Sequence, residues 1–145
     1  VTGRLAMVLL AATLAGCSGE SASPGAADAA TLVLGEALYA KHCASCHGAG
    51  REGQTEWRSR KPDGRLPAPP HDETGHTWHH PMAQLFAMTK FGLVPPLAPE
   101  GYQSDMPAFA GILSDDEIRA VLAWIESAWP EEVRRMRAER FAQNR

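Results

Sequence analysis

Cys43-Ala44-Ser45-Cys46-His47 is the stretch from which the rest of the chain can be read. Two cysteines three positions apart, followed at once by a histidine, form the attachment signal for c-type haem. The spacing follows from the chemistry. Two thiols must reach the two vinyl groups on one edge of a porphyrin, and the next imidazole must swing under the ring to bind iron. Cys43 and Cys46 are therefore the expected thioether anchors, and His47 the expected proximal ligand. Three other readings compete. A thioredoxin-like dithiol goes with a βαβ pattern, and the chain shows none. A structural zinc site needs four ligands, usually with a second Cys/His pair; the one further cysteine is Cys17, far upstream. A plain structural disulfide is the third.

A loop well downstream offers the second axial ligand. Met106 lies in Ser104-Asp105-Met106-Pro107-Ala108-Phe109, between a Gly/Pro-rich segment and an amphipathic helix. His/Met is a known axial pair for haem c, and the thioether raises the reduction potential. Met82 and Met88 fall on an expected helix, where methionine usually fills core. Met106 stands beside a proline that stiffens its loop, which suits a fixed ligand.

These segments carry a family resemblance. Gly35-Glu36-Ala37-Leu38-Tyr39-Ala40-Lys41-His42-Cys43-Ala44-Ser45-Cys46-His47-Gly48, then Met106-Pro107-Ala108-Phe109, then Leu113-Ser114-Asp115-Asp116-Glu117-Ile118 and Val121-Leu122-Ala123-Trp124-Ile125 resemble a mono-haem class I cytochrome c. The likeness covers about residues 31–129 and is weak across 49–80. It implies an all-α fold: a small helical domain wrapped around one covalently attached haem c, with a long irregular loop after the haem motif. It implies an electron carrier rather than an enzyme, with redox proteins of a respiratory or periplasmic chain as partners. In that family the first and last helices cross at a glycine against an aromatic ring, and Gly35 and Trp124 match those positions. The family also places a carbonyl, here near Pro69 or Pro70, against the Nδ1–H of the ligating histidine.

The 145 residues allow one domain. Charged residues make up 21%, so disorder throughout is not expected, and a net charge of −3 argues against general nucleic-acid binding. Three cysteines cannot all pair within one chain, which removes a disulfide framework.

Residues 1–16 read as a signal peptide. Arg4 precedes an apolar run, Leu5 to Ala15, that is too short to span a bilayer. Leu14-Ala15-Gly16-Cys17 resembles a bacterial lipobox, in which Cys17 is lipidated and becomes the new N-terminus. An ordinary signal peptide with a stray cysteine is the alternative. Residues 17–30 then form a lipidated tether of small residues, with a coil reach of about 20 Å over residues 18–30. Several acyl chains on one cysteine hold better than a single chain. The expected location is the periplasmic side of a bacterial membrane, not the cytoplasm, and the expected state is a monomer. Export agrees with the family resemblance, since c-type haem is attached outside the bacterial cytoplasm.

Three helices are expected in the haem domain, residues 31–129. Thr31 to Lys41 is capped by Thr31, with Leu34, Leu38 and Tyr39 as an apolar stripe. Pro81 to Phe91 turns Met82, Leu85 and Phe86 inward and stops at Gly92. Ser114 to Trp129 opens on a Ser114/Glu117 capping box and buries Ile118, Val121, Leu122 and Ile125. Residues 48–80 form the long irregular loop. Its segment 51–65 carries five basic residues against three acids; it either steers an acidic partner or contacts haem propionates. Pro130 opens a C-terminal helical extension, residues 130–145, with Val133, Met136 and Phe141 as a thin apolar stripe. A solvated helix is the favoured reading there, beside packing on the domain, docking a partner or lying on anionic lipid.

Two other functions stay in view. His76, His79 and His80 place three imidazoles within five residues and form a candidate second metal site, with a copper-handling role. Displacement of Met106 would open the iron to a small ligand, giving a ligand-binding, sensory or peroxidatic haem protein.

Overall fold

A computed structural model describes residues 27–142. The expected signal segment 1–16, Cys17 and most of the tether lie outside the described residues, as do 143–145. The described residues form α1 (Ala29–His42), α2 (Ala44–His47), a short 3₁₀ turn (Thr77–His79), α3 (Met82–Phe91), α4 (Asp115–Ser127) and α5 (Glu131–Ala142). No strand occurs among them, and the fold is all-α as expected. No described helix is long and apolar enough to cross a membrane.

The crossing of α1 and α4 sets the frame. A Cβ on Gly35 would lie 2.1 Å from the Ala120 carbonyl oxygen and 2.8 Å from Trp124 Cβ. Only a hydrogen at this position lets the two backbones meet. The expected crossing at Gly35 against Trp124 is therefore present. It also sets which face of α1 is buried. Gly35 and Tyr39 are buried and Leu38 is half-buried, one helical stripe. Leu34, expected on that stripe, is instead 45% exposed, because it sits one residue, about 100° of helix, off the crossing point. The cap differs as well. Asp28 Oδ1 accepts from the Thr31 amide at 2.7 Å, so the helix begins two residues before Thr31.

The core is two apolar clusters joined through Leu38. Leu85, Phe109, Leu113, Ile118 and Leu122 form the first, and Tyr39, Val121, Ile125 and Trp129 the second. Helix α4 feeds both, because its apolar positions repeat at three- and four-residue steps. Its start has the expected capping box, with Ser114 Oγ accepting from the Glu117 amide and Glu117 Oε2 from the Ser114 amide. Pro81 stands at the cap of α3 in extended conformation, and Gly92, at φ 82°, ends it.

Helix α5 is not merely solvated. Arg137, four residues from both Val133 and Phe141 on one face of the helix, is 5% exposed. Its Nε bonds Glu126 Oε1 at 3.2 Å, and its Nη1 donates to the carbonyls of Trp78 and His80. The guanidinium lies 5.3 Å from the Trp129 ring centroid and 5.1 Å from that of Phe141. Met136, expected on an apolar stripe, is 42% exposed. A charged side chain buries itself here because its donors meet the carbonyls of Trp78, in the 3₁₀ turn, and of His80, just after it.

Candidate functional site

Cys43, Cys46 and His47 lie on one tight bend. Helix α1 ends where the Cys43 amide donates to Tyr39 O at 2.8 Å. The amides of Cys46 and His47 then both turn back to Cys43 O, at 3.1 and 2.9 Å. This winds α2 as a single turn and presents three side chains from five residues. The Tyr39 hydroxyl donates to Gly48 O at 3.0 Å and ties the far end of the bend to α1. Burial pushes that phenol well above its ordinary value, so it stays a donor.

Among the described residues, Cys43 and Cys46 form no disulfide. Cys43 is half-buried and packs against the second cluster; Cys46 is exposed. Burial, and then the neighbouring Cys46, pushes the Cys43 thiol up to about 11. A reactive dithiol needs a lowered value, so the thioredoxin-like alternative loses support.

His47 is 7% exposed. Its Nδ1 lies 2.8 Å from the Pro69 carbonyl oxygen. A carbonyl can only accept, so Nδ1 carries the proton and Nε2 holds the free lone pair. Burial pulls the imidazole below its ordinary value, and the bond to Pro69 opposes this in part. A neutral ring with Nε2 open is what metal ligation requires. The expected carbonyl near Pro69 or Pro70 is thus that of Pro69.

Met106 arrives from a different loop. It packs, half-buried, on the first cluster, and its amide donates to Ser104 Oγ at 3.0 Å. The loop is pinned on two sides. Asp105 pairs with Lys61 at 2.7 Å and with Arg65 at 3.2 Å. The amides of Phe109 and Ala110 donate to Thr89 and Lys90 carbonyls at the end of α3. The thiols and His47 share one turn, whereas Met106 belongs to the neighbouring cluster, with Leu38 touching both clusters.

The residues present fit a covalent porphyrin. Two thiols and a neutral imidazole share the motif turn. In the 49–80 loop, Arg51 Nε and Arg65 Nε are buried without a hydrogen-bond partner among the described residues. Orphaned donors of this kind suit carboxylates of a bound group, and the sequence does not separate them from the other basic residues of 51–65.

The three imidazoles of the candidate second metal site do not gather into one group. His76 stacks on Trp57 with centroids 5.4 Å apart, His79 stacks on Trp78 at 3.6 Å, and His80 Nδ1 faces Gln84 Oε1 at 3.2 Å. His76 and His80 also meet edge-on, with centroids 5.5 Å apart, while His79 turns to Trp78. Among the described residues no group of three or more His, Cys, Asp or Glu side chains is arranged to hold a metal.

Comparison with known proteins agrees with the geometry. The family model described as Cytochrome c matches residues 32–129. No curated protein and no solved structure matches the chain. The matched segment is about two thirds of the sequence and contains both the Cys43–His47 bend and the Met106 loop, so the chain belongs to the cytochrome c family, whose members bind covalent haem c and serve in electron transfer.

Proposed function

We propose that the chain is a mono-haem class I cytochrome c that carries electrons from a lipid anchor on the periplasmic side of a bacterial membrane. The observation that carries this reading is His47: a nearly buried imidazole on the Cys43–Cys46 turn, its Nδ1 occupied by Pro69 O and its Nε2 free. Cys43 and Cys46 are the thioether anchors, His47 the proximal ligand and Met106 the sixth ligand. Haem c supplies one-electron chemistry at its iron. The residues around it do the rest. Two protein ligands leave no open position for a substrate, so the protein is a carrier and not an enzyme. The Met106 thioether favours the reduced state. Arg51 and Arg65 are the candidate partners for the propionates.

Residues 1–16 act as the signal peptide, Cys17 takes the lipid, 17–30 is the tether, 31–129 the haem domain and 130–145 the helical extension. The tether keeps a monomeric carrier close to membrane redox proteins and raises their effective concentration.

The visible spectrum of purified oxidised and reduced protein, with a pyridine haemochrome, tests the site. Expected are a c-type haemochrome, a low-spin ferric spectrum and the weak red band of thioether ligation, with no CO binding. A colourless product from cells with a working haem-ligation apparatus would refute the haem. CO binding to the reduced protein would refute Met106. Labelling with a radioactive fatty acid, lost in Cys17→Ser, tests the anchor.

A further inference from the structure

His71 draws no attention in the sequence, yet its ring lies face to face with that of His47. The centroids are 4.0 Å apart and the planes within 23°. His71 is itself held from four directions. Its Nδ1 is 2.8 Å from Thr77 Oγ1. Its amide donates to Arg51 O at 2.8 Å, and its carbonyl accepts from Trp129 Nε1 at 2.7 Å. The Tyr39 ring meets it edge-on, with centroids 6.1 Å apart. Thr77 is buried, and its hydroxyl points to the Pro70 carbonyl at 3.4 Å. A hydroxyl has one proton. Donated to Pro70 O, it leaves the oxygen to accept from His71 Nδ1–H.

This arrangement bears on the one motion left to a ligating imidazole. A bond from Nδ1 to a carbonyl tolerates a broad range of directions. It therefore limits, but does not fix, rotation of the ring about its metal–nitrogen axis. A flat neighbour in van der Waals contact blocks that rotation, because any twist drives one ring edge into the opposing face. We infer that His71 is a positioning residue for His47, holding the plane of the imidazole by face-to-face contact while Pro69 holds its tautomer. The inference rests on the reading of His47 as the iron ligand. The ring plane governs overlap between the ligand and the iron d orbitals, so it sets how unpaired spin spreads over the porphyrin. Groups behind a metal ligand commonly act in this way. Trp129, at the end of the family-matched segment, and Thr77, on the 3₁₀ turn, thereby reach the site through one side chain.

Two substitutions separate the stack from the polar anchor. His71→Asn keeps a polar group for Thr77 and removes the flat face. His71→Phe keeps the face and removes the polar group. In the haem-loaded ferric protein, the paramagnetic proton shifts of the haem methyl groups report the ligand plane. Expected is a redistribution of those shifts in His71→Asn, with a displaced reduction potential, and a near wild-type pattern in His71→Phe. An unaltered pattern in His71→Asn overturns the inference. So does a His71→Phe pattern displaced as far as that of His71→Asn. Thr77→Val loosens His71 without touching either ring and provides a reading if His71→Asn does not fold. It is expected to move the methyl shifts in the same sense by less, and an unchanged pattern there counts against the inference. A His47→Ala protein that keeps the low-spin spectrum overturns the ligand reading itself. Loss of that spectrum together with an unaltered His71→Asn overturns the stack alone.

Discussion

The Nδ1 of His47 meets the Pro69 carbonyl at 2.8 Å across 22 residues of chain. The bond depends on a backbone contact rather than on a side chain. Gly53, whose amide donates to His47 O at 2.8 Å, lies directly under the Pro69–Pro70 peptide. A Cβ at Gly53 would stand 2.4 Å from Pro70 N and 2.7 Å from the Pro69 carbonyl carbon.

Gly53→Ala is therefore expected to loosen the site. Gly53 has φ 69°, where an L side chain costs about 1–2 kcal/mol. The clash with Pro69–Pro70 adds roughly 1–3 kcal/mol of overpacking. The urea midpoint should fall, and the Nδ1 proton of His47 should exchange faster by NMR. A midpoint equal to wild type would show that the loop yields freely.

The helix crossing is less forgiving. In Gly35→Ala the new methyl meets the Ala120 carbonyl and Trp124 Cβ, both on α4. Rigid elements on both sides leave no room to relax, so a loss of about 3 kcal/mol or more is expected. Thermal unfolding followed by circular dichroism measures it. Glu36→Ala, exposed on the same helix, should stay within about 0.5 kcal/mol.

The Met106 loop should respond to pH at both ends. The Asp105 carboxyl is held below its ordinary value chiefly by the hydrogen bond from Lys61, with the charges of Lys61 and Arg65 adding to it. The same bond raises Lys61. The unfolded chain binds the Asp105 proton more tightly. The contribution of this carboxylate is therefore full above its ordinary value of about 3.9 and fades as pH falls through the lower folded one. The contribution of Lys61 is full below its ordinary value and fades as pH rises through the higher folded one. Amide exchange at Met106 should quicken at both extremes and in high salt, since the pair is exposed. Asp105→Asn should abolish the acid step. An acid step that persists in Asp105→Asn would assign it to another group.

Arg137 should anchor α5. Arg137→Met keeps much of the buried bulk but strands the Trp78 and His80 carbonyls, so a loss of about 1–3 kcal/mol is expected. Limited proteolysis should then cut within 131–142 first, while the α1–α4 pair stays protected. Arg137→Lys should not restore protection, because one ammonium cannot reproduce the planar fork. Equal protease resistance in all three proteins would mean that Val133 alone holds the helix.

Local chemistry was legible wherever neighbouring residues carry it. The Ser114/Glu117 capping box, the stop at Gly92 and the buried face of α4 follow from spacing along one helix. The Cys43–His47 bend was equally plain, because its spacing answers to the geometry of a porphyrin edge. Gly35 and Trp124 were paired through family resemblance, and the 2.1 Å approach of a Cβ to Ala120 gives the steric reason.

Other features needed the folded chain. Leu34 faces water and Arg137 is buried, the reverse of what their residue types suggest, because a helix's inner face is set by what crosses it. His76, His79 and His80 looked like a metal cluster when counted along the chain, but in an irregular turn each ring direction follows its own packing, His76 on Trp57 and His80 on Gln84. His71 and the orphaned nitrogens of Arg51 and Arg65 had no periodicity to announce them. Residue order was enough for short-range hydrogen bonding and helical phase, which depend on neighbours a few positions away. The surroundings of His47 were settled by contacts from residues 53, 69, 71, 77 and 129, whose convergence only long-range packing decides.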